Sequence, residues 1–139
     1  PASRTPIPVA RPSMRILADS AFVIDFLRGL PEAAARWEAM FVDGDEPITN
    51  EIVVCEVATG LRAVDLRRFE AFLEPVEFVQ PAPEAALMAG RWRAEARAAG
   101  RTLGLADALI AAAAFTDNAA VLTRNTRDFA LTPVRIVTY

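Results

Sequence analysis

Short apolar runs alternate with stretches of helical periodicity along most of this chain. Arg15-Ile16-Leu17-Ala18-Asp19 predicts a strand that runs into an acid, and Ser20–Arg28 continues with helical spacing until Gly29 ends it. A second helix is predicted over Glu32–Val42, with Trp37 and Phe41 one turn apart on its apolar side. Asp43-Gly44-Asp45 then turns the chain into a short strand at Pro47–Thr49, and Thr49 or Asn50 caps a helix from Glu51 to about Leu61. A more charged helix follows near Asp65–Glu74, then a strand at Val76–Val79 punctuated by Pro81 and Pro83.

The spacing of Ala85, Met88, Ala89, Trp92 and Ala96 predicts a long helix over Glu84–Ala99, which Gly100 stops. An alanine-rich helix at about Leu105–Thr116 leads to a strand at Ala120–Thr123, and Val134–Val137 forms a last strand. Strands that alternate with helices imply an α/β fold with a mainly parallel sheet, in one domain and without repeats. Residues 14–139 carry this pattern. Pro1 to Ser13, with four prolines, reads as a flexible extension, and neither a targeting peptide nor a membrane segment is apparent. Cys55, the single cysteine, lies in an apolar run and is expected to be a buried, reduced thiol, which fits a cytoplasmic protein.

Composition narrows the chemistry by what is missing. There is no His, and all 15 basic residues are Arg. A Ser-His-Asp or Cys-His site lacks its base, an imidazole zinc site its ligands and a P-loop its lysine. Carboxylates holding a hard cation such as Mg²⁺ or Mn²⁺ remain. The net charge of −3 argues against nonspecific coating of nucleic acid but not against a nucleic-acid enzyme, because bound cations offset acids at such a site.

Several acids stand where chemistry is expected. Asp19 ends a strand, where α/β sheets open their ligand crevice, although it or Ser20 also suits a helix cap. Glu56 falls angularly between Ile52 and Val53, a carboxylate on an apolar face that needs a metal, donors or a partner such as Arg62. Asp107 occupies a helix's first turn, where the helix dipole alone would favour it. Asn125 and Asp128 follow another strand end; Thr123 can orient a water or serve only the strand. Asp25, paired with Arg28, and the turn at Asp117-Asn118 are expected on the solvated surface.

In this order the segments resemble the motifs of PIN-domain ribonucleases, and among them the VapC-type toxins of type II toxin–antitoxin systems. Ile16-Leu17-Ala18-Asp19-Ser20 resembles the opening motif, although Ala21 stands where many members carry Ser or Asn. Glu56, the segment Gly104-Leu105-Ala106-Asp107, and Val121-Leu122-Thr123-Arg124-Asn125 running on to Asp128 resemble the remaining three. The resemblance runs from Met14 to the C-terminus and implies a PIN-like three-layer sandwich. It implies that Asp19, Glu56 and Asp107, with Asn125 or Asp128, hold one or two Mg²⁺ or Mn²⁺ ions for hydrolysis of RNA, such as tRNA. It also implies a homodimer and a VapB-type antitoxin whose segment lies near the first helices, where Phe22, Phe26, Trp37 and Phe41 line a groove or fill the core. Candidate phosphate contacts are Arg93, Arg97 and Arg101 along one helix, or Arg124 and Arg127 beside the fourth motif. A phosphoryl-accepting receiver-like or phosphatase domain is the competing class, although a receiver relies on a lysine; a third is a PIN-like scaffold that binds without cleaving.

Overall fold

The computed structural model describes residues 11–139. Five strands form one sheet: β1 (Arg15–Ala18), β2 (Glu46–Thr49), β3 (Glu77–Phe78), β4 (Ala119–Leu122) and β5 (Ile136–Val137). Their spatial order is β3-β2-β1-β4-β5 and every pairing is parallel. Helical crossovers supply the returns that parallel pairing demands. They are α1 (Ser20–Leu27), α2 (Pro31–Val42), α3 (Glu51–Gly60), α4 (Leu66–Leu73), α5 (Pro83–Ala98), α6 (Leu105–Thr116) and α7 (Thr126–Phe129), with a 3₁₀ turn at Ala63–Asp65 before α4. The result is a three-layer α/β sandwich.

Burial follows from this layering. Ile16, Leu17 and Ala18 are buried in succession, because the central strand is covered on both faces. In α6 the alanines at 108 and 111–114 are all buried, so the helix is apolar all round and packs closely on α5 and β4. Phe22, Phe26, Trp37 and Phe72 form an aromatic cluster joining α1, α2 and α4, with Trp37 stacked on Phe72 at 4.4 Å. Phe22, Phe26 and Trp37 therefore serve the core, while Phe41 sits at its edge, 43% exposed.

Three differences from the expected elements have local causes. The last strand is shorter because the Val134 N–H turns back to Thr132 Oγ1, and the first bond to β4 runs from the Val121 N–H to Arg135 O at 2.8 Å. Helix α7 spans four residues, too few for periodicity to show. Cys55 is exposed, not buried: it is two residues from both Val53 and Val57, which places it about 200° round α3 from the face they bury.

Residues 1–10, most of the expected extension, lie outside the described residues. Of the remainder, Arg11 donates to both oxygens of Asp45 at 2.9 and 2.6 Å and to Asp43 at 3.2 Å. Asp45 also accepts from the Met14 N–H at 3.0 Å, just before β1. Among the described residues no helix is long and apolar enough to cross a membrane.

Hydrogen bonding to Arg11 holds the buried Asp45 carboxyl below its ordinary range, so its stabilisation is present above the unfolded pKa of about 4 and is lost as pH falls through the folded value. Asp45→Asn should cost about 1–3 kcal/mol at pH 7. Urea melts of both proteins should show that gap closing as pH is lowered past about 4.

Candidate active site

Chain order reverses at β1: the chain steps outward through β2 and β3, then returns to place β4 on the other flank of β1. Such a switch point leaves a crevice at the carboxyl ends of the strands. Asp19 follows β1 and Thr123 follows β4, and the Asp19 N–H donates to Leu122 O at 3.1 Å, so the sheet pairing itself brings them together.

Asp19 is only 4% exposed. Its Oδ1 accepts the Phe22 N–H at 2.8 Å, capping α1, and its Oδ2 accepts the Thr123 hydroxyl. Capping and cleft-lining are thus roles of one side chain. Burial raises its pKa, the two hydrogen bonds oppose that, and the charges of Asp25 and Glu56 add to it. Thr123 Oγ1 in turn accepts the Asn125 N–H at 2.8 Å.

Asn125 and Asp128 are joined by a hydrogen bond. The Asn125 amide donates to Asp128 Oδ2 at 3.0 Å and to Asp107 Oδ2 at 3.3 Å, linking α7 to the first turn of α6. Burial, then the charges of Asp128, Asp19 and Glu56, pushes the Asp107 carboxyl up to about 6. Glu56 completes the set from α3, where Ser20 Oγ donates to its Oε1. It is exposed rather than sunk in the apolar face. Arg62 pairs with Asp65 instead of Glu56, and among the described residues none of the four acids forms an ion pair.

A family profile described as PIN domain matches residues 16–134. The chain belongs to the PIN-domain family. It is 33% identical over 117 residues to Ribonuclease VapC19 of Mycobacterium tuberculosis (strain CDC 1551 / Oshkosh), covering 84% of this chain and 94% of that protein. Its fold is similar to VapBC2 from Rickettsia felis, solved bound to a DNA fragment from the pair's promoter, with a TM-score of 0.80 at 19% identity over 91% of this chain and 99% of that one. A toxin–antitoxin complex from Klebsiella pneumoniae gives a TM-score of 0.71 at 28% identity, over 88% of this chain and 96% of that one.

The acids of this PIN domain stand as two hydrogen-bonded groups, Asp19 with Thr123 and Asp107 with Asp128 through Asn125, and Glu56 reaches in from α3. Among the described residues no three acidic side chains are arranged to hold a metal ion by themselves. The donor set nevertheless fits a hydrated hard cation, since Mg²⁺ keeps several waters and takes only one or two carboxylates directly. Uncompensated charge felt at Asp107 points the same way.

Other side chains sit elsewhere than expected. Asp25 is half-buried and accepts the Tyr139 hydroxyl at 2.5 Å instead of pairing with Arg28 in solvent. Arg124 lies over the Tyr139 ring at 4.5 Å. Nothing in the pattern around Tyr139 marks it, and only the tertiary structure places it beside Phe22 and the first acid's helix. Asp117 caps α6 and accepts Arg15 Nε at 2.6 Å, so it is not a free surface acid either. Arg93 Nε donates to Leu103 O at 3.0 Å, and Arg97 is exposed in the last turn of α5.

A folded-state pKa above the unfolded value of about 4 means that metal-free stability is full at low pH and falls as pH rises through about 6. Asp107→Asn should therefore stabilise the metal-free protein at pH 7.5, on the order of 1 kcal/mol once solvent screening is discounted. Thermal melts across pH in EDTA should show the gain vanishing toward pH 4. A gain independent of pH would assign it to packing instead of charge.

Proposed function

We propose that this PIN domain is a Mg²⁺- or Mn²⁺-dependent endoribonuclease, the toxin half of a pair with a VapB-type antitoxin, acting in the cytoplasm on structured RNA such as tRNA. The placement of Asp19, Glu56, Asp107 and Asp128 near one another at the switch point, with no cationic partner among the described residues, carries the reading. Similarity to a protein named a ribonuclease, across most of both chains, supports it.

Asp19, Glu56, Asp107 and Asp128 would hold the ion. When bound, it supplies a water activated near neutral pH and neutralises charge at the departing oxygen of a phosphodiester, giving 3′-hydroxyl and 5′-phosphate ends. The chain's own residues set the stage. Thr123 and the Phe22 N–H fix both oxygens of Asp19, Ser20 aims Glu56, and the Asn125 amide holds Asp107 and Asp128 together. Asp107, with its carboxyl pushed up to about 6 by burial and by the neighbouring acids, would hold the ion as the carboxylate, so metal binding would weaken as pH falls through that value. In a chain without His, no side chain has an ordinary pKa near 7 for general base work.

An antitoxin segment has a candidate seat in a cavity of about 520 Å³ between α1, α3 and the start of α4. Ile24, Leu27, Val57 and Leu61 give it apolar walls, and Arg28, Arg62 and Arg68 suit an acidic peptide at its rim. We also propose a homodimer, as the family resemblance implies. The spread of the carboxylates favours one alternative, a PIN fold that binds partners without cleaving.

Incubation with total RNA separates these readings. Mg²⁺ or Mn²⁺ should support cleavage, EDTA should abolish it, and Asp107→Asn should reduce it by about two orders of magnitude or more without loss of folding. Cleavage that survives thorough chelation would remove the metal from the mechanism, and no cleavage by folded protein would favour the binding module. Expression of the wild-type chain should arrest growth, and co-expression of the small open reading frame beside its gene should relieve it. Unimpeded growth with active, soluble protein would count against the toxin role.

A further inference from the structure

A cavity of about 600 Å³ opens beside the acidic site, between the loop after α5 and helix α7. It shares Asn125 and Asp128 with that site, and Arg101, Thr102 and Arg127 form the rest of its polar wall. Arg101 and Arg127 are exposed and form no ion pair among the described residues, whereas Arg11, Arg15 and Arg62 all do. Two cations against the single charge of Asp128 leave the cavity net positive by about one charge, which matches one phosphodiester monoanion. The volume lies within the range of about 300–1,000 Å³ usual for ligand sites, ample for one nucleotide unit.

The loop that carries Arg101 is held in place. Arg93 Nε, on α5, donates to Leu103 O at 3.0 Å, and the Arg101 N–H donates to Ala96 O at 2.8 Å, so both sides of Thr102 are tied to the same helix. Arg93 therefore commits its Nε–H, one of five donors, to the loop. Arg124 is likewise occupied, against Tyr139.

We propose that Arg101 and Arg127 form a subsite for an RNA backbone phosphate neighbouring the scissile one, and that Arg93 is a positioning residue that acts through the Leu103 carbonyl. The inference rests on the ribonuclease reading and specifies the side from which the strand enters, past Asp128. RNA is favoured over an acidic peptide because the cavity is continuous with the carboxylates and walled mainly by polar groups. The cavity between α1 and α3, by contrast, has the apolar surface that a peptide needs.

Binding of a short fluorescein-labelled single-stranded RNA in EDTA, followed by anisotropy over a salt series, tests the subsite without cleavage. Arg101→Gln and Arg127→Gln should each weaken binding roughly five- to tenfold and reduce the slope of log K against log salt by about 0.7. Arg93→Gln should weaken binding while leaving the slope unchanged, because it removes no phosphate contact. Arg135→Gln, at the amino ends of the strands and so at the opposite end of the sheet, should stay within about twofold of wild type in affinity and keep its slope. With Mn²⁺ and total RNA, Arg101→Gln and Arg127→Gln should raise KM and spare kcat. If wild type cleaves RNA but both variants bind like it, the subsite is overturned and the ribonuclease reading stands; wild type that neither binds nor cleaves RNA overturns both. An equal loss of slope in Arg135→Gln would reduce the effect to a diffuse field and overturn the subsite, and a loss of slope in Arg93→Gln would overturn its positioning role.

Discussion

The pairing of β1 with β4 supports everything else in this molecule. Ala18 lies opposite Leu122, the next backbone N–H reaches across to Leu122 O, and the side chains immediately beyond, Asp19 and Thr123, meet in a hydrogen bond. A carboxylate buried this deeply costs several kcal/mol if left unpaired. The Thr123 hydroxyl and the Phe22 N–H offset that cost by donating hydrogen bonds to the carboxylate, which stabilises its charge without cancelling it. One junction therefore closes the centre of the sheet, starts α1 and leaves a negative charge at the head of the crevice.

The two ends of the sheet treat their acids in opposite ways. At the amino end Arg15 bridges Glu46, Glu77 and Asp117, and Arg11 covers Asp43 and Asp45, so charge is compensated within the fold. At the carboxyl end the donors to Asp19, Glu56, Asp107 and Asp128 are hydroxyls, an amide and a backbone N–H, all neutral. Neutral donors fix geometry but leave the charges in place, so burial first and then the charges of Asp128, Asp19 and Glu56 push the Asp107 carboxyl up to about 6. That asymmetry separates acids whose charge is compensated within the fold from acids whose charge is not, and it follows from partner chemistry alone.

The arginines divide on the same principle of what each has left to offer. Arg93 and Arg124 lie near the cleft, yet one braces a loop carbonyl and the other lies against an aromatic ring. Arg101 and Arg127 keep their guanidinium groups open to a shared cavity. Position along a helix, which grouped Arg93 with Arg97 and Arg101, does not separate these roles, because the hydrogen-bond partner of Arg93 comes from outside the helix.

Local pattern alone determined the alternation of strands and helices, the parallel sheet and the strand-end positions of Asp19 and Thr123, because periodicity and turn residues record which backbone conformation each segment prefers. The order of four short motifs was equally legible. What periodicity reports is an angle about an axis, and it cannot say what faces that angle. Periodicity puts Glu56 on the apolar face of α3, yet the tertiary packing leaves it exposed, whereas Cys55 lies in an apolar run but on the side of α3 away from the buried valines. Only the tertiary structure decided that Asn125 and Asp128 are hydrogen-bonded, with the amide of one between two acids from different helices. Only the tertiary structure joined Tyr139 to Asp25 across 114 residues, since such a contact depends on where the last strand lies and not on any preference of its neighbours in the chain.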